Sequence, residues 1–150
     1  MKPTDDGMAA RYCHWDGYPD WNGKVIFEIV QRDGVEKARE VLIDQHTYWS
    51  TLDSATLPEG TDANTEPGTK VPTDQQRWDR PNTYVVGYGE ADLNEGDLIT
   101  EDFGGSWCEW AYLIEDDGLR IGKIDSDIKW VLTIPWTEEF DLKKVLSLTA

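Results

Sequence analysis

The sequence predicts an α+β domain: one antiparallel sheet of about four to five strands with a helical hairpin packed on one face. Three observations predict it. Residues 23–45 carry apolar side chains at helical spacing, broken once by Asp33-Gly34. Residues 83–134 hold short aliphatic and aromatic runs separated by turn residues. Together with a first strand, a long loop and a C-terminal helix they give the order β-α-α-loop-β-β-β-β-α, which suggests one antiparallel sheet with helices on a face.

The elements follow in chain order. Residues 1–8 are polar and read as a flexible arm, and residues 9–15 as a first strand of aromatic, alternating character. Gly17-Tyr18-Pro19 turns the chain, because glycine frees φ and proline ends strand pairing. Asn22 is placed to cap a helix over 23–32, whose apolar face is Val25, Phe27, Ile29 and Val30. Asp33-Gly34 stops it. A second helix over 35–45 presents Val35, Ala38, Val41 and Leu42 on one side, with Glu36 and Glu40 set to pair with neighbouring bases on the other.

Residues 54–81 hold Pro58, Gly60, Pro67, Gly68, Pro72 and Pro81 among threonines and acids. This reads as a long loop, with partial disorder expected and Trp78 as an anchor. Strands are expected over 83–88, 107–114, 119–124 and 130–134. Glu115-Asp116-Asp117-Gly118 forms a hairpin turn, and Pro135 ends the last strand. A C-terminal helix over 138–148 is expected, with Thr137 as its cap. The chain has no internal repeat and fits one domain, 1–150.

Composition narrows the function classes. The hydrophobic share is 39%, and eight tryptophans add large buried areas to a modest aliphatic core. No apolar run is long enough to span a membrane, and the first ten residues lack the apolar core of a secretory signal, so a cytoplasmic setting is expected. In that compartment Cys13 and Cys108 are expected as thiols.

The net charge of −16 is uneven. Residues 1–53 carry ten acids against six bases, and residues 54–150 carry twenty against eight. No Lys or Arg lies between Arg80 and Arg120, a window containing Glu90, Asp92, Glu95, Asp97, Glu101, Asp102, Glu109, Glu115, Asp116 and Asp117. Such a surface repels nucleic acid and anionic membranes and attracts basic proteins.

Residues 12–23 gather Tyr12, Trp15, Tyr18 and Trp21 with Cys13, His14, Asp16 and Asp20. His14 and Asp16, two apart on one side of a strand, have the spacing of a base and its orienting carboxylate. Strand alternation turns Cys13 the other way, and no nucleophile elbow completes a catalytic set. Cys13, His14, His46 and Cys108 match no compact metal spacing, and Asp125-x-Asp127 lacks the glycine and distal Glu of a calcium loop, so no metal or cofactor is expected. Gly87-Tyr88-Gly89 is too short a signal for a phosphate-binding loop.

The run Tyr12-Cys13-His14-Trp15-Asp16-Gly17-Tyr18-Pro19, followed by Asn22-Gly23 and an apolar helix, resembles a family of small proteins of bacteriophages, prophages and their hosts. Ser50-Thr51-Leu52, Gly87-Tyr88-Gly89-Glu90 and Glu109-Trp110-Ala111-Tyr112-Leu113 fit later blocks of the same pattern. The resemblance implies a phage or mobile-element setting and no particular reaction.

Two functions are compatible with these features. The first is a non-enzymatic acidic accessory protein that binds and modulates a host or defence protein, including by nucleic-acid mimicry. Its partner would be a basic surface, engaged by Glu90, Asp92, Glu95, Asp97, Glu101, Asp102, Trp107 and Glu109. The second is a small-molecule site, for a nucleotide base or a sugar, or a small enzyme, with Tyr12, His14, Trp15, Asp16 and Tyr18 lining the pocket.

Overall fold

The computed structural model describes residues 1–13, 17–45, 48–55, 57, 61–77, 80–92, 98–103 and 108–149. The class is α+β, with its strands divided among three sheets. A two-stranded hairpin pairs β1 (Lys2–Thr4) with β2 (Gly7–Ala9). A five-stranded sheet runs in the order β3 (Tyr12–Cys13), β4 (Tyr48–Leu52), β7 (Gly89–Asp92), β6 (Arg80–Val85), β5 (Lys70–Arg77). A three-stranded meander runs β8 (Trp110–Ile114), β9 (Gly118–Ile124), β10 (Ile128–Pro135).

The single antiparallel sheet expected from the sequence is therefore not what the pairing shows. The five-stranded sheet is mixed, because β3 runs parallel to β4. The arm over 1–8 is a paired hairpin, tied to β8 where the Met1 amino group donates to the Tyr112 carbonyl at 2.7 Å and Ile114 N–H donates to the Met1 carbonyl at 2.8 Å. The segment read as a loop contains β5, and Trp78 lies outside the described residues.

One helical arm serves both larger sheets. A π-helical turn, Pro19–Gly23, leads into α1 (Lys24–Asp33); α2 (Val35–Arg39) leads into a second π-helical turn, Glu40–Asp44. Proline suits the first helical position, where its missing N–H costs nothing. The helix therefore starts before Asn22, which forms no side-chain cap bond. Gly34, at φ 90°, breaks the arm in two, a conformation that a residue with a Cβ resists. Val25, Ile26, Phe27, Ile29 and Val30 of α1 are buried, as are Ala38 and then Val41, Leu42 and Ile43 of the second turn. Each large apolar side chain so buried contributes about 1.5–3 kcal/mol relative to exposure.

The arm meets the meander through Phe27, whose ring lies 5.3 Å from that of Trp136 and 5.7 Å from that of Phe140. Arg39 donates twice to the Ile114 carbonyl, from Nε at 2.9 Å and Nη2 at 2.6 Å. The C-terminal helix, α3 (Leu142–Thr149), is capped by Asp141 rather than Thr137, since Asp141 Oδ1 accepts from Lys144 N–H.

The arm meets the five-stranded sheet through a charged node. Arg32 makes a two-pronged pair with Asp33 (2.9 and 2.8 Å) and also donates to the carbonyls of Gly87 and Ser54. Tyr88, in the β6–β7 turn, donates its phenol to Asp33 Oδ2 at 2.6 Å. Gly87-Tyr88-Gly89 is thus the hairpin corner that receives the end of α1. Gly89, at φ 132°, lies so close to β4 that a Cβ would run into the Thr51 carbonyl. Gly89→Ala should cost roughly 2–4 kcal/mol in urea unfolding, because strain and a backbone clash act together.

Burial alone would push the Asp33 carboxyl up, but hydrogen bonds from Arg32 and Tyr88 and the charges of Arg32 and Lys37 outweigh it and hold it below its ordinary value. A carboxyl depressed in the folded state contributes stability above the unfolded value of about 3.9 and loses it as pH falls through the folded value. Asp33→Asn should therefore cost roughly 1–2 kcal/mol at neutral pH. Urea midpoints on acidification below about pH 4 should show the gap to wild type closing. A gap that persists undiminished would show that the node does not depend on the ionised carboxylate.

Candidate functional site

The helical arm, the β3–β4 edge and the meander enclose a cavity of about 420 Å³. Its buried walls are Ile26, Leu42, Ile43, Trp49, Leu52, Ala111 and Ile114, with Tyr112 and Asn22. The Trp49 indole is fixed there by donating to the Leu42 carbonyl at 2.9 Å. Arg11, Tyr12, Cys13, Tyr18, Phe103, Cys108, Glu109 and Trp110 are among the less buried residues that also line it. Tyr18 is 59% exposed and marks the mouth.

Two of the five expected pocket residues, Tyr12 and Tyr18, line this cavity. His14, Trp15 and Asp16 lie outside the described residues, as does His46. Alternation predicts that Tyr12 and Cys13 face opposite ways, yet both border the cavity, because β3 is only two residues long. The cavity also brings Cys13 and Cys108 to one lining, as thiols rather than a disulfide. Among the described residues no group of three or more His, Cys, Asp or Glu is arranged to hold a metal ion.

Asn22 was not expected here. An asparagine just before an apolar helix reads as a cap, but Asn22 sits inside the first π-helical turn and is among the residues that line the cavity. The residue is 2% exposed, and its Oδ1 has no hydrogen-bond partner among the described residues. Leaving a buried acceptor unmet costs about 1–3 kcal/mol. π-helical turns recur at functional sites, where the extra residue redirects a side chain.

Tyr112, also unforeseen, joins the walls. Its phenol donates to the Gly17 carbonyl, holding the lip of the mouth. Burial pushes that phenol well above its ordinary pKa, with Asp20 and Cys13 adding to the shift, so it remains a neutral donor. Burial likewise raises the Tyr12 phenol. Burial also lowers the Met1 amino group to about 5, with Arg39 contributing, so it is uncharged at neutral pH. At the rim, Arg11 donates Nε to the Ile43 carbonyl at 2.6 Å, and Lys123 lies 5.7 Å over the Trp110 ring. Among the described residues, the deep walls are thus mainly apolar and uncharged.

Of the expected acidic surface, Glu90 and Asp92 lie on β7, Glu101 and Asp102 in an exposed segment before β8, and Glu109 immediately before β8. Glu95, Asp97 and Trp107 lie outside the described residues. At the β8–β9 turn, Asp116 pairs with Arg39 at 2.9 Å and Glu115 with Arg120 at 3.6 Å. Asp127 Oδ1 accepts from Ile128 N–H, shaping the β9–β10 turn. Among the described residues no helix is long and apolar enough to cross a membrane.

No family model, curated protein or solved structure matches the chain.

Asn22→Leu replaces the unmet amide with an apolar group of similar shape. In the ligand-free protein it should leave stability unchanged or raise it by about 1 kcal/mol, because the desolvation cost disappears. Urea unfolding checks this; a loss above about 2 kcal/mol would make Asn22 a structural residue.

Proposed function

We propose that this protein binds a small molecule in the cavity between the helical arm, the β3–β4 edge and the meander. The observation that carries the reading is the cavity itself: about 420 Å³, walled mainly by apolar side chains such as Ile26, Leu42, Trp49 and Ile114, with an open mouth at Tyr18. Pockets of about 300–1,000 Å³, mostly apolar with few polar groups, are what small-molecule sites look like. Tyr12, Cys13, Gly17 and Tyr18, from the segment rich in aromatics, line it. His14 and Asp16 remain the candidates for any chemistry there, through their place in the same segment.

Titration of ring compounds followed by calorimetry should give one-to-one binding. Cys108→Phe, which adds bulk near the mouth, should abolish that binding while leaving the circular dichroism spectrum unchanged. Binding undiminished in the variant would place the ligand elsewhere.

The lysine- and arginine-free window supports a second reading, in which exposed Glu101, Asp102 and Glu109 engage a basic protein of a phage host. Capture of a basic partner at low salt, lost at high salt, is expected on that reading, since salt screens exposed charges.

A further inference from the structure

We infer that the cavity selects its ligand by size and lack of polarity: the occupant is an uncharged, hydrocarbon-like molecule, held by burial of its surface rather than by a hydrogen bond or an ion pair. The inference rests on the small-molecule reading above and names its ligand class.

The polar groups of the described walls are engaged with the protein itself. The Trp49 indole donates to the Leu42 carbonyl at 2.9 Å, the Tyr112 phenol to the Gly17 carbonyl, and Arg11 Nε to the Ile43 carbonyl at 2.6 Å. Asn22 Oδ1 keeps less than 1 Å² of accessible area, so protein atoms cover it and it is not offered to a ligand. Cys13 and Cys108 are half-buried thiols, which are weak hydrogen-bonding groups and behave as small apolar side chains. The buried remainder, Ile26, Leu42, Leu52 and Ile114 among them, is aliphatic, and no charged residue belongs to it. A sugar, a nucleobase or a phosphate would give up water at several polar groups and find few partners in exchange, which costs free energy at each. An uncharged apolar molecule loses nothing of that kind and gains in proportion to the area removed from water.

Calorimetric titration with toluene, ethylbenzene, 4-ethylphenol, 4-ethylbenzoate and adenosine tests this. The protein should bind ethylbenzene roughly fourfold more tightly than toluene, the gain from one more buried methylene. It should bind 4-ethylphenol roughly 5- to 150-fold more weakly than ethylbenzene, because the hydroxyl is buried without a partner. Neither 4-ethylbenzoate nor adenosine should saturate it. Binding of ethylbenzene should carry a negative heat-capacity change, the mark of apolar burial. By NMR, ethylbenzene should shift the indole N–H resonance of Trp49, which assigns the binding to this cavity. Ethylbenzene bound with that resonance unmoved would overturn the inference. So would 4-ethylphenol, 4-ethylbenzoate or adenosine binding as tightly as ethylbenzene, with the small-molecule reading left standing. Saturation by none of the five would also overturn the ligand class. If a broad fragment screen by NMR then left the cavity residues unperturbed, the small-molecule reading would fall with it.

Discussion

The fold depends on one constraint: a single helical arm has to cover two sheets that pair separately. The arm has apolar residues over a broad arc, with Val25, Ile26, Phe27, Ile29 and Val30 all buried within one short helix. A face that wide can contact more than one layer. Phe27 turns to Trp136 and Phe140 beside the meander, while Arg32 and Asp33 lock onto the β6–β7 turn of the five-stranded sheet. Weakening either attachment would leave one sheet's apolar face uncovered, so the two act as one cooperative unit.

The cavity follows from the same constraint. Where one arm bridges two sheets, the three surfaces diverge at one end, and the space between β3–β4 and β8 is lined by side chains that each layer would otherwise bury. The π-helical turns sit at both ends of the arm, the first contributing Asn22 and the second Leu42 and Ile43. Interiors are close-packed, and an apolar hollow bordered by a buried polar atom is a departure that stability alone does not favour. The N-terminal hairpin closes the far side, since Met1 is bonded to β8 and is part of the lining.

Much of this was legible in the sequence where local pattern decides structure. The apolar spacing of 23–45, the break at Gly34 and the acidic turn before Gly118 each specify an element by short-range chemistry, and each stands in the structure. Strands hidden from pattern are those stabilised by neighbours. Tyr48–Leu52 buries Ser50 in its centre, and Lys70–Arg77 carries a proline and mostly polar residues, so neither shows apolar alternation. Of the aromatic segment 12–18, Tyr12 and Tyr18 line the cavity, while His14, Trp15 and Asp16 lie outside the described residues. Asn22, Cys108 and Tyr112 are not legible in the sequence as cavity residues, because they come together only through tertiary packing and because asparagine at a helix start has a simpler role as a cap.

The central claim is that the cavity between the helical arm, the β3–β4 edge and the meander takes a small molecule. The most direct test is a crystal structure of the protein soaked with a set of small aromatic fragments. The account predicts density for a bound ring against Trp49 and Ile114. A cavity closed by its own side chains, with every fragment absent or bound elsewhere, would contradict it.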